Sequence, residues 1–194
     1  MKILLLFLSA FLTNPSWSAH LSTGIYKSLI DVQDKNGKEV TNPFSPALSV
    51  GSNFKFTDGF GFSPQLGFVY HTVQTDDSYG DYKMYSIFLL YDFIWVPQSY
   101  QSFALRFGLG TFRKTITGKG GTVTIPNGTG TATAYRPESA TSYSGTFNLG
   151  TDFKFNMRTN WFTNFGLRFE VFAFRPLSQE YRNYTYNLGF LAYF

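Results

Sequence analysis

The chain has 194 residues, no cysteine and a formal net charge of +4, with 14% charged and 20% aromatic residues. The lack of cysteine excludes a disulfide framework, and a mild charge without a basic cluster argues against nucleic acid as a partner. Ordinary soluble domains carry about 25% charged residues, and after the N-terminus the longest apolar run, over residues 87–96, is too short for a membrane-spanning helix. The aromatic residues must therefore be sheltered from water by a secondary structure whose sequence period differs from that of a helix.

The N-terminus carries a short apolar segment. A positive residue precedes an apolar run over residues 3–12, which is shorter than the roughly 20 residues that a spanning helix needs. This pattern is typical of a secretory signal, and the small residues Ser16 and Ser18 favour cleavage after Ser18. We predict a signal peptide over residues 1–18 and one folded domain over residues 19–194.

The rest of the chain alternates between apolar residues and small or polar residues, which is typical of strands with two different faces. Eight segments show the pattern: 21–30, 48–56, 60–71, 85–95, 103–110, 147–155, 161–172 and 184–194. Most are close to the 9–11 residues that a tilted strand needs to cross a membrane. The fold class we predict is all-β, an eight-stranded antiparallel up-and-down transmembrane β-barrel.

Short and long connections alternate strictly along the chain. The short connections are 57–59, 96–101 and 156–160, and the long ones are 33–43, 74–81, 114–143 and 175–183. An up-and-down barrel with short periplasmic turns and long external loops requires this order. We therefore expect both termini on the periplasmic side.

The last strand carries a family resemblance. The chain ends in Phe194, preceded at alternate positions by Tyr186, Leu188 and Phe190. This pattern resembles the C-terminal signal that is read by the bacterial barrel-assembly machinery. The whole domain resembles the small eight-stranded outer-membrane proteins of the OmpA, OmpX and OmpW type. The resemblance implies an integral outer-membrane protein without a cofactor, and we expect a monomer.

A soluble β-barrel such as a lipocalin is the structural alternative. It would bury the Phe-rich face and turn the other face to water. That other face is rich in Gly, Asn and Ser and contains few Lys and Glu residues, whereas solvent-facing strands normally carry more charge. The composition thus favours the membrane barrel.

Seven charged residues are predicted to face the lumen. Eight strands leave an interior just wide enough for side chains, and buried charges are costly unless they are paired. We therefore expect a salt-bridged filling. A pore gated by these pairs is the functional alternative. The seven residues are Lys55, Asp92, Arg106, Asp152, Lys154, Arg168 and Glu170.

Basic residues also cluster near the outer strand ends. In an outer leaflet of lipopolysaccharide, phosphate groups would lie at this level and could pair with Lys and Arg. The alternative is that these side chains are simply exposed to water at the rim of the barrel and bind no lipid. The residues are Lys83, Arg113, Lys114, Arg175 and Arg182.

The third long connection, residues 114–143, is rich in Gly and Thr. Its run over residues 122–125 and its Asn127-Gly128 turn predict strands that continue outside the membrane. The Gly-rich stretch 119–122 lacks the spacing of a phosphate-binding loop. Loops of this kind carry adhesion or phage contacts in similar proteins, and a tolerant, disordered loop is the alternative.

Some barrels that resemble this one modify lipid A, with a His and a Ser at the outer rim. Here His71 could act as a base and Ser78 as a nucleophile. A calcium site at Asp76, Asp77 and Asp81 lacks the EF-hand spacing, so no metal is predicted. The alternative for His71 is structural, since a lone His on a barrel strand usually only fills space in the lumen.

The function that the sequence favours is therefore a non-enzymatic outer-membrane barrel with a structural or surface-contact role. A narrow channel for small or hydrophobic solutes is the first alternative. A lipid A-modifying enzyme is the second.

Overall fold

The computed structural model describes residues 17–27, 44–71, 83–126, 128–136, 138–157, 159–177 and 183–194. These residues form ten β-strands: β1 (Trp17–Lys27), β2 (Phe44–Lys55), β3 (Phe60–His71), β4 (Lys83–Trp95), β5 (Phe103–Lys119), β6 (Thr122–Pro126), β7 (Thr131–Tyr135), β8 (Glu138–Phe155), β9 (Asn164–Phe174) and β10 (Asn183–Tyr193). No helix in this part of the chain is long and apolar enough to span a membrane.

Strand β4 shows how the sequence pattern becomes structure. Its even-numbered residues from Met84 to Ile94 are buried, and its odd-numbered residues from Lys83 to Trp95 lie on the opposite face. Successive side chains of a strand point to opposite faces, so a period of two in the sequence separates inside from outside. The same alternation runs through β3 and through residues 146–155 of β8.

Eight of the strands close into one antiparallel barrel in the order β1-β10-β9-β8-β5-β4-β3-β2. The first and last strands complete the ring, with Ile25 opposite Leu188 in the register. Closure leaves no unpaired edge within the ring, which is a requirement for strands in a membrane. The prediction of an eight-stranded antiparallel barrel is confirmed.

Three short connections, 56–59, 96–102 and 156–163, lie at one end of the barrel together with Phe194; we call this the short-turn end. The opposite end is the long-loop end. Of the long connections, residues 28–43, 72–82 and 178–182 lie outside the described residues.

Several predicted strand boundaries were wrong, among them those of β1 and β9. Strand β1 spans Trp17–Lys27 instead of residues 21–30, and it begins two residues before the predicted signal cleavage. Strand β9 begins at Asn164 instead of residue 161. Here Thr159 Oγ1 accepts hydrogen bonds from the backbone N–H groups of Trp161, at 3.4 Å, and Phe162, at 3.0 Å. This bonding forms a turn, although the aromatic pattern continues through it.

Strands β5 and β8 continue beyond the barrel wall at the long-loop end. The pairing of β5 with β4 ends at Thr117, and the contact of β8 with the β9 side ends at Gly145. Residues 118–144, which we call the surface ribbon, pair with no other barrel strand in the described part of the chain. The ribbon ends in the β6–β7 hairpin, so the predicted continuation of strands near residues 122–125 is present.

A kink divides the surface ribbon. Gly120 and Gly121 adopt φ angles of 65° and 82°, which residues with a Cβ atom rarely adopt. The backbone N–H of Arg136 donates a hydrogen bond to the carbonyl of Gly121 at 2.9 Å. The two glycines therefore allow the ribbon to bend without breaking the hairpin.

Candidate functional sites in the lumen and at the outer rim

Five of the predicted lumen charges meet inside the barrel near the short-turn end: Asp92, Arg106, Asp152, Arg168 and Glu170, which we call the charge cluster. Arg106 Nη2 lies 2.6 Å from Asp92 Oδ2, and Arg106 Nη1 lies 3.2 Å from Asp152 Oδ2. Arg168 contacts Asp152 through Nε at 2.7 Å and through Nη2 at 2.9 Å. Glu170 Oε1 lies 3.8 Å from Arg106 Nε and 3.9 Å from Arg168 Nε. The cluster thus places two guanidinium groups among three carboxylates.

The sheet register and two glycines create the space for these side chains. Asp152 stands directly opposite Arg168, and Gly150 stands between Arg106 and Glu170 on the neighbouring strands. A Cβ atom at Gly150 would lie 2.8 Å from Glu170 Cγ. Gly108 is crowded in the same way by Asp92. Large charged residues therefore alternate with glycines across the interior.

Uncharged polar side chains add hydrogen bonds to the cluster, although Glu170 Oε1 accepts none from the described residues. Gln65 donates to Asp92 Oδ2 at 2.7 Å and accepts a hydrogen bond from Arg168. Asn148 donates to Asp92, and Asn187 donates to Glu170 Oε2 at 2.9 Å. The arginines and carboxylates are at most 2% exposed, so these bonds supply contacts that water would otherwise make.

His20 and Tyr193 also belong to this region. His20 Nε2 lies 3.5 Å from both terminal nitrogens of Arg168, and the Tyr193 hydroxyl donates to Asp152 Oδ2 at 3.3 Å. Neither residue was among the predicted lumen charges, because His20 precedes the first predicted strand and Tyr193 carries no formal charge. Parity along β1 and β10 is the signal that could have found them.

Lys55 and Lys154 occupy a different position. Lys154 Nζ lies 4.8 Å from the centroid of the Tyr193 ring, on the short-turn side of the charge cluster. Lys55 ends β2 and is exposed, so it lies at the rim of the short-turn end. Neither lysine forms an ion pair with the charge cluster among the described residues.

An apolar layer fills the other half of the lumen. It consists of Val69, Phe88, Leu90, Phe112 and Phe172, with Ala47 and Phe174 packed against it; we call it the aromatic layer. The Phe112 ring lies 5.1 Å from Phe88 and 4.9 Å from Phe174, between centroids. These distances are typical of favourable aromatic pairs. The lumen is thus filled by two layers of opposite polarity.

His71 faces the lumen on the long-loop side of the aromatic layer. Its Nε2 is 2.8 Å from Ser86 Oγ, and its Nδ1 is 3.3 Å from Ser45 Oγ. All three side chains are buried. The ring is therefore held inside the barrel, and Ser78, the predicted nucleophile, lies outside the described residues.

The five predicted rim cations separate in the structure. Lys83 and Arg113 are exposed on the outer face at the long-loop end, and Arg175 is exposed just beyond β9. Arg182 lies outside the described residues. The placement of Lys114 among the outer contacts was wrong: β5 continues through it, so Lys114 lies in register with Ser86 and Ser142 and faces the lumen.

The outer face of the barrel is apolar. The predicted assembly residues Tyr186, Leu188, Phe190 and Phe194 are all exposed there or at the chain end. They continue a band, the apolar belt, whose members on other strands are also exposed. Those members include Leu21, Ile25, Leu48, Val50, Leu66, Phe68, Ile87, Tyr91, Phe93, Trp95, Phe107, Leu109, Phe147, Leu149, Phe153 and Phe169.

The calcium site that the sequence did not support, Asp76, Asp77 and Asp81, lies within residues 72–82, outside the described residues. Within the described ranges, no group of three or more His, Asp or Glu side chains is arranged to hold a metal ion.

No protein-family model matches the sequence, and no curated protein matches it. Solved structures match in fold. Ail, the attachment invasion locus protein of Yersinia pestis, is 13% identical, with 92% of this chain and 97% of that chain covered and a TM-score of 0.53. Neisserial surface protein A is 14% identical, with coverages of 91% and 95% and a TM-score of 0.48.

At this level of identity the similarity establishes the fold alone. Ail is an outer membrane protein, and its solved barrel aligns with this chain over nearly the whole length of both. The chain therefore has the fold of the small eight-stranded outer-membrane β-barrel proteins.

Proposed function

We propose that this chain is a non-enzymatic integral protein of a bacterial outer membrane, with a structural or surface-contact role. The apolar belt carries the proposal. Around a closed barrel with a buried charge cluster, no further layer of the described residues covers the outward Phe, Leu and Tyr side chains. Apolar surface costs about 25 cal/mol per Å² in water, so a band of this size requires lipid.

The height of the belt fits a membrane. On β4, the outward residues from Tyr85 to Trp95 are all apolar, and these ten steps of about 3.3 Å on a strand tilted by about 40° give about 25 Å. This height equals the apolar band of outer-membrane barrels. Lys83 and Arg113 would then lie at the outer boundary, where the phosphates of lipopolysaccharide could accept their hydrogen bonds.

The orientation follows from the connections. Short turns belong on the periplasmic side in bacterial barrels, so both termini would be periplasmic and the surface ribbon would project outward. The barrel-assembly machinery would recognise the outward side chains of Tyr186, Leu188, Phe190 and Phe194 before β10 pairs with β1. The ribbon, as a hairpin that projects beyond the lipid, is the element suited to surface contact.

The first test is a combination of heat modifiability and surface proteolysis. Outer-membrane fractions run on a denaturing gel with and without boiling should show a shift, because the closed barrel resists unheated detergent. Protease added to intact cells should cut within residues 114–143 and spare the short turns. A protein that is freely soluble without detergent, or that is cut at the short turns in intact cells, would contradict the proposal.

The lipid A-modifying alternative has its own test. His71 hydrogen bonds to Ser45 and Ser86 inside the lumen, which argues against a base that faces lipid. Mass spectra of lipid A should therefore be the same for the wild type and for His71→Ala. A modification that is present in the wild type and lost in the variant would show catalysis.

A further inference from the structure

Two prolines lie within the strands of the barrel wall. Pro46 belongs to β2 and Pro64 to β3, and these two strands are neighbours in the ring. Proline has no N–H to donate, so within sheets it occurs on edge strands, at strand starts or at bulges. A closed barrel has no edge strand. The two prolines are therefore exceptions that require a physical explanation.

The pairing of β2 with β3 is interrupted at Pro64. On β2 the register with β3 stops at Gly51 and resumes at Phe54 with the same offset. That offset places Ser52 opposite Pro64, where no pair forms. The pairing of β2 with β1 and of β3 with β4 continues through this level without a gap. The interruption is thus confined to one boundary between strands. We call this boundary the proline seam; it comprises residues 46–55 of β2 and 61–70 of β3.

The hairpin that joins β2 and β3 shows which way the nitrogen of Pro64 points. The backbone N–H of Phe56, just beyond β2, donates to the carbonyl of Phe60 at 2.9 Å. Alternate residues of an antiparallel strand direct their backbone groups to opposite neighbours, so the even-numbered residues of β3 face β2. The nitrogen of Pro64 therefore faces Ser52 and cannot donate to its carbonyl. By the same alternation the nitrogen of Pro46 faces β3.

The closed proline seam leaves two acceptors without donors from the described residues. The carbonyl of Ser52 has lost its N–H partner on β3, and the side-chain Oδ1 of Asn53 is buried without a hydrogen-bond partner. A buried acceptor without a donor destabilises the state that contains it. Water could donate to both groups if the strands separated. Separation is therefore less unfavourable here than at a seam whose ladder is complete.

The two strands of the seam differ in how they are held from inside the barrel. Ser63 and Gln65 flank Pro64 on β3. Ser63 Oγ accepts a hydrogen bond of 3.1 Å and Gln65 Nε2 donates one of 2.7 Å, both with side chains of the charge cluster. On β2, the lumen-facing residues at this level are Gly51, which has no side chain, and Asn53. The charge cluster therefore holds β3 in place and leaves β2 freer to move.

We propose that the proline seam is the place where the barrel wall opens locally. Strand β2 moves away from β3 at Ser52 and Pro64, while β3 stays bound to the charge cluster and to β4. The open seam admits water to the backbone between the two strands, and the pairs on either side of the gap close it again. This inference concerns a movement of the wall and goes beyond the proposed surface-contact role.

The test is amide hydrogen exchange, measured by nuclear magnetic resonance of the ¹⁵N-labelled barrel in lipid nanodiscs. Strand β3 contains its own control. The N–H groups of Phe62 and Leu66 face β2 across the seam, whereas those of Ser63 and Gln65 face β4. After correction for the intrinsic exchange rate of each residue, Phe62 and Leu66 should exchange at least tenfold faster than Ser63 and Gln65.

Two variants separate the missing N–H from other effects of proline. Pro64→Ala restores the N–H opposite Ser52 and should slow exchange at Phe62 and Leu66 at least fivefold. Pro97→Ala is the matched control, because Pro97 lies in a short turn away from the seam, and it should leave both rates within twofold of the wild type. If Pro64→Ala does not fold, the alternation of rates along β3 in the wild type decides alone.

Three results would overturn the opening of the proline seam. They are equal exchange rates for both sets of amides in the wild type, unchanged rates in a folded Pro64→Ala barrel, and equal slowing by Pro97→Ala and Pro64→Ala. Heat modifiability of each variant is measured in parallel. A seam that stays closed in a heat-modifiable barrel thus leaves the membrane proposal intact, whereas a wild type without heat modifiability would contradict that proposal instead.

Discussion

The two halves of the lumen solve the same packing problem with opposite chemistry. The charge cluster fills the half near the short turns with paired ions, and the aromatic layer fills the other half with rings. Eight strands leave an interior just wide enough for side chains, so we expect each layer alone to close the lumen. The comparison shows that the alternation of the sequence determines which face is inside, while the inside can be either polar or apolar.

The two layers differ in how they respond to damage. Ion pairs in a dry interior are directional, and each partner that loses its counter-charge leaves an unpaired buried ion. Ring contacts are less directional, so a change there costs mainly packing. The charge cluster should therefore be the more sensitive half.

The largest effect is expected for Arg106→Met. This change removes a cation that contacts Asp92 at 2.6 Å and Asp152 at 3.2 Å. Breaking a buried pair from one side typically costs about 3–5 kcal/mol. The free energy of unfolding, measured by urea titration of the barrel in lipid vesicles, should fall by that amount.

Two controls sharpen this prediction. Arg113→Met on the exposed outer face should change stability by less than about 0.5 kcal/mol. Arg106→Met combined with Asp92→Leu should be less destabilised than Arg106→Met alone, because the carboxylate left behind is also removed. A double variant as unstable as the sum of both single changes would show that the two residues act independently.

A smaller effect is expected for Gly67→Ala in the other half. A Cβ atom at Gly67 would lie 2.5 Å from two ring carbons of Phe88, which is itself stacked on Phe112. Overpacking of this kind typically costs about 1–3 kcal/mol, measured by the same urea titration. Gly145→Ala is the matched control, since a Cβ atom built there meets no heavy atom of the described residues within 4 Å beyond its chain neighbours. Equal stability of the two variants would mean that the aromatic layer is loose.

The smallest effect is expected in conductance. Because either layer closes the lumen, Arg106→Met and Gly67→Ala should each behave like the wild type in planar bilayers, without discrete ion conductance. Discrete openings in the wild type would support the gated-pore alternative. Openings in the Arg106→Met variant alone would show that the aromatic layer does not close the lumen.

The sequence predicted the barrel and much of the charge cluster for one physical reason. Parity along a strand is strict, so Asp92, Arg106, Asp152, Arg168 and Glu170 could be assigned to the face opposite the apolar belt. Parity could not show which of these residues form ion pairs, because pairing depends on the register between strands.

The errors arose where the strand assignment ended too early. The predicted segment stopped at residue 110, so Lys114 was treated as part of a loop and grouped with Arg113. In the structure β5 runs to Lys119, and parity then places the two residues on opposite faces. His20 was missed in the same way, because the predicted first strand started after it. The uncharged Gln65 and Asn148 gave no signal that distinguished them from other polar residues.

The most direct test of the membrane-spanning barrel uses the absence of cysteine from the chain. Single cysteines at Leu149, in the apolar belt, and at Thr133, in the surface ribbon, would carry nitroxide spin labels in lipid vesicles. A spanning barrel predicts that the label at 149 is relaxed strongly by oxygen and weakly by a water-soluble nickel complex, with the reverse at 133. Strong relaxation by the nickel complex at both positions would show that the belt faces water and would contradict a barrel in the membrane.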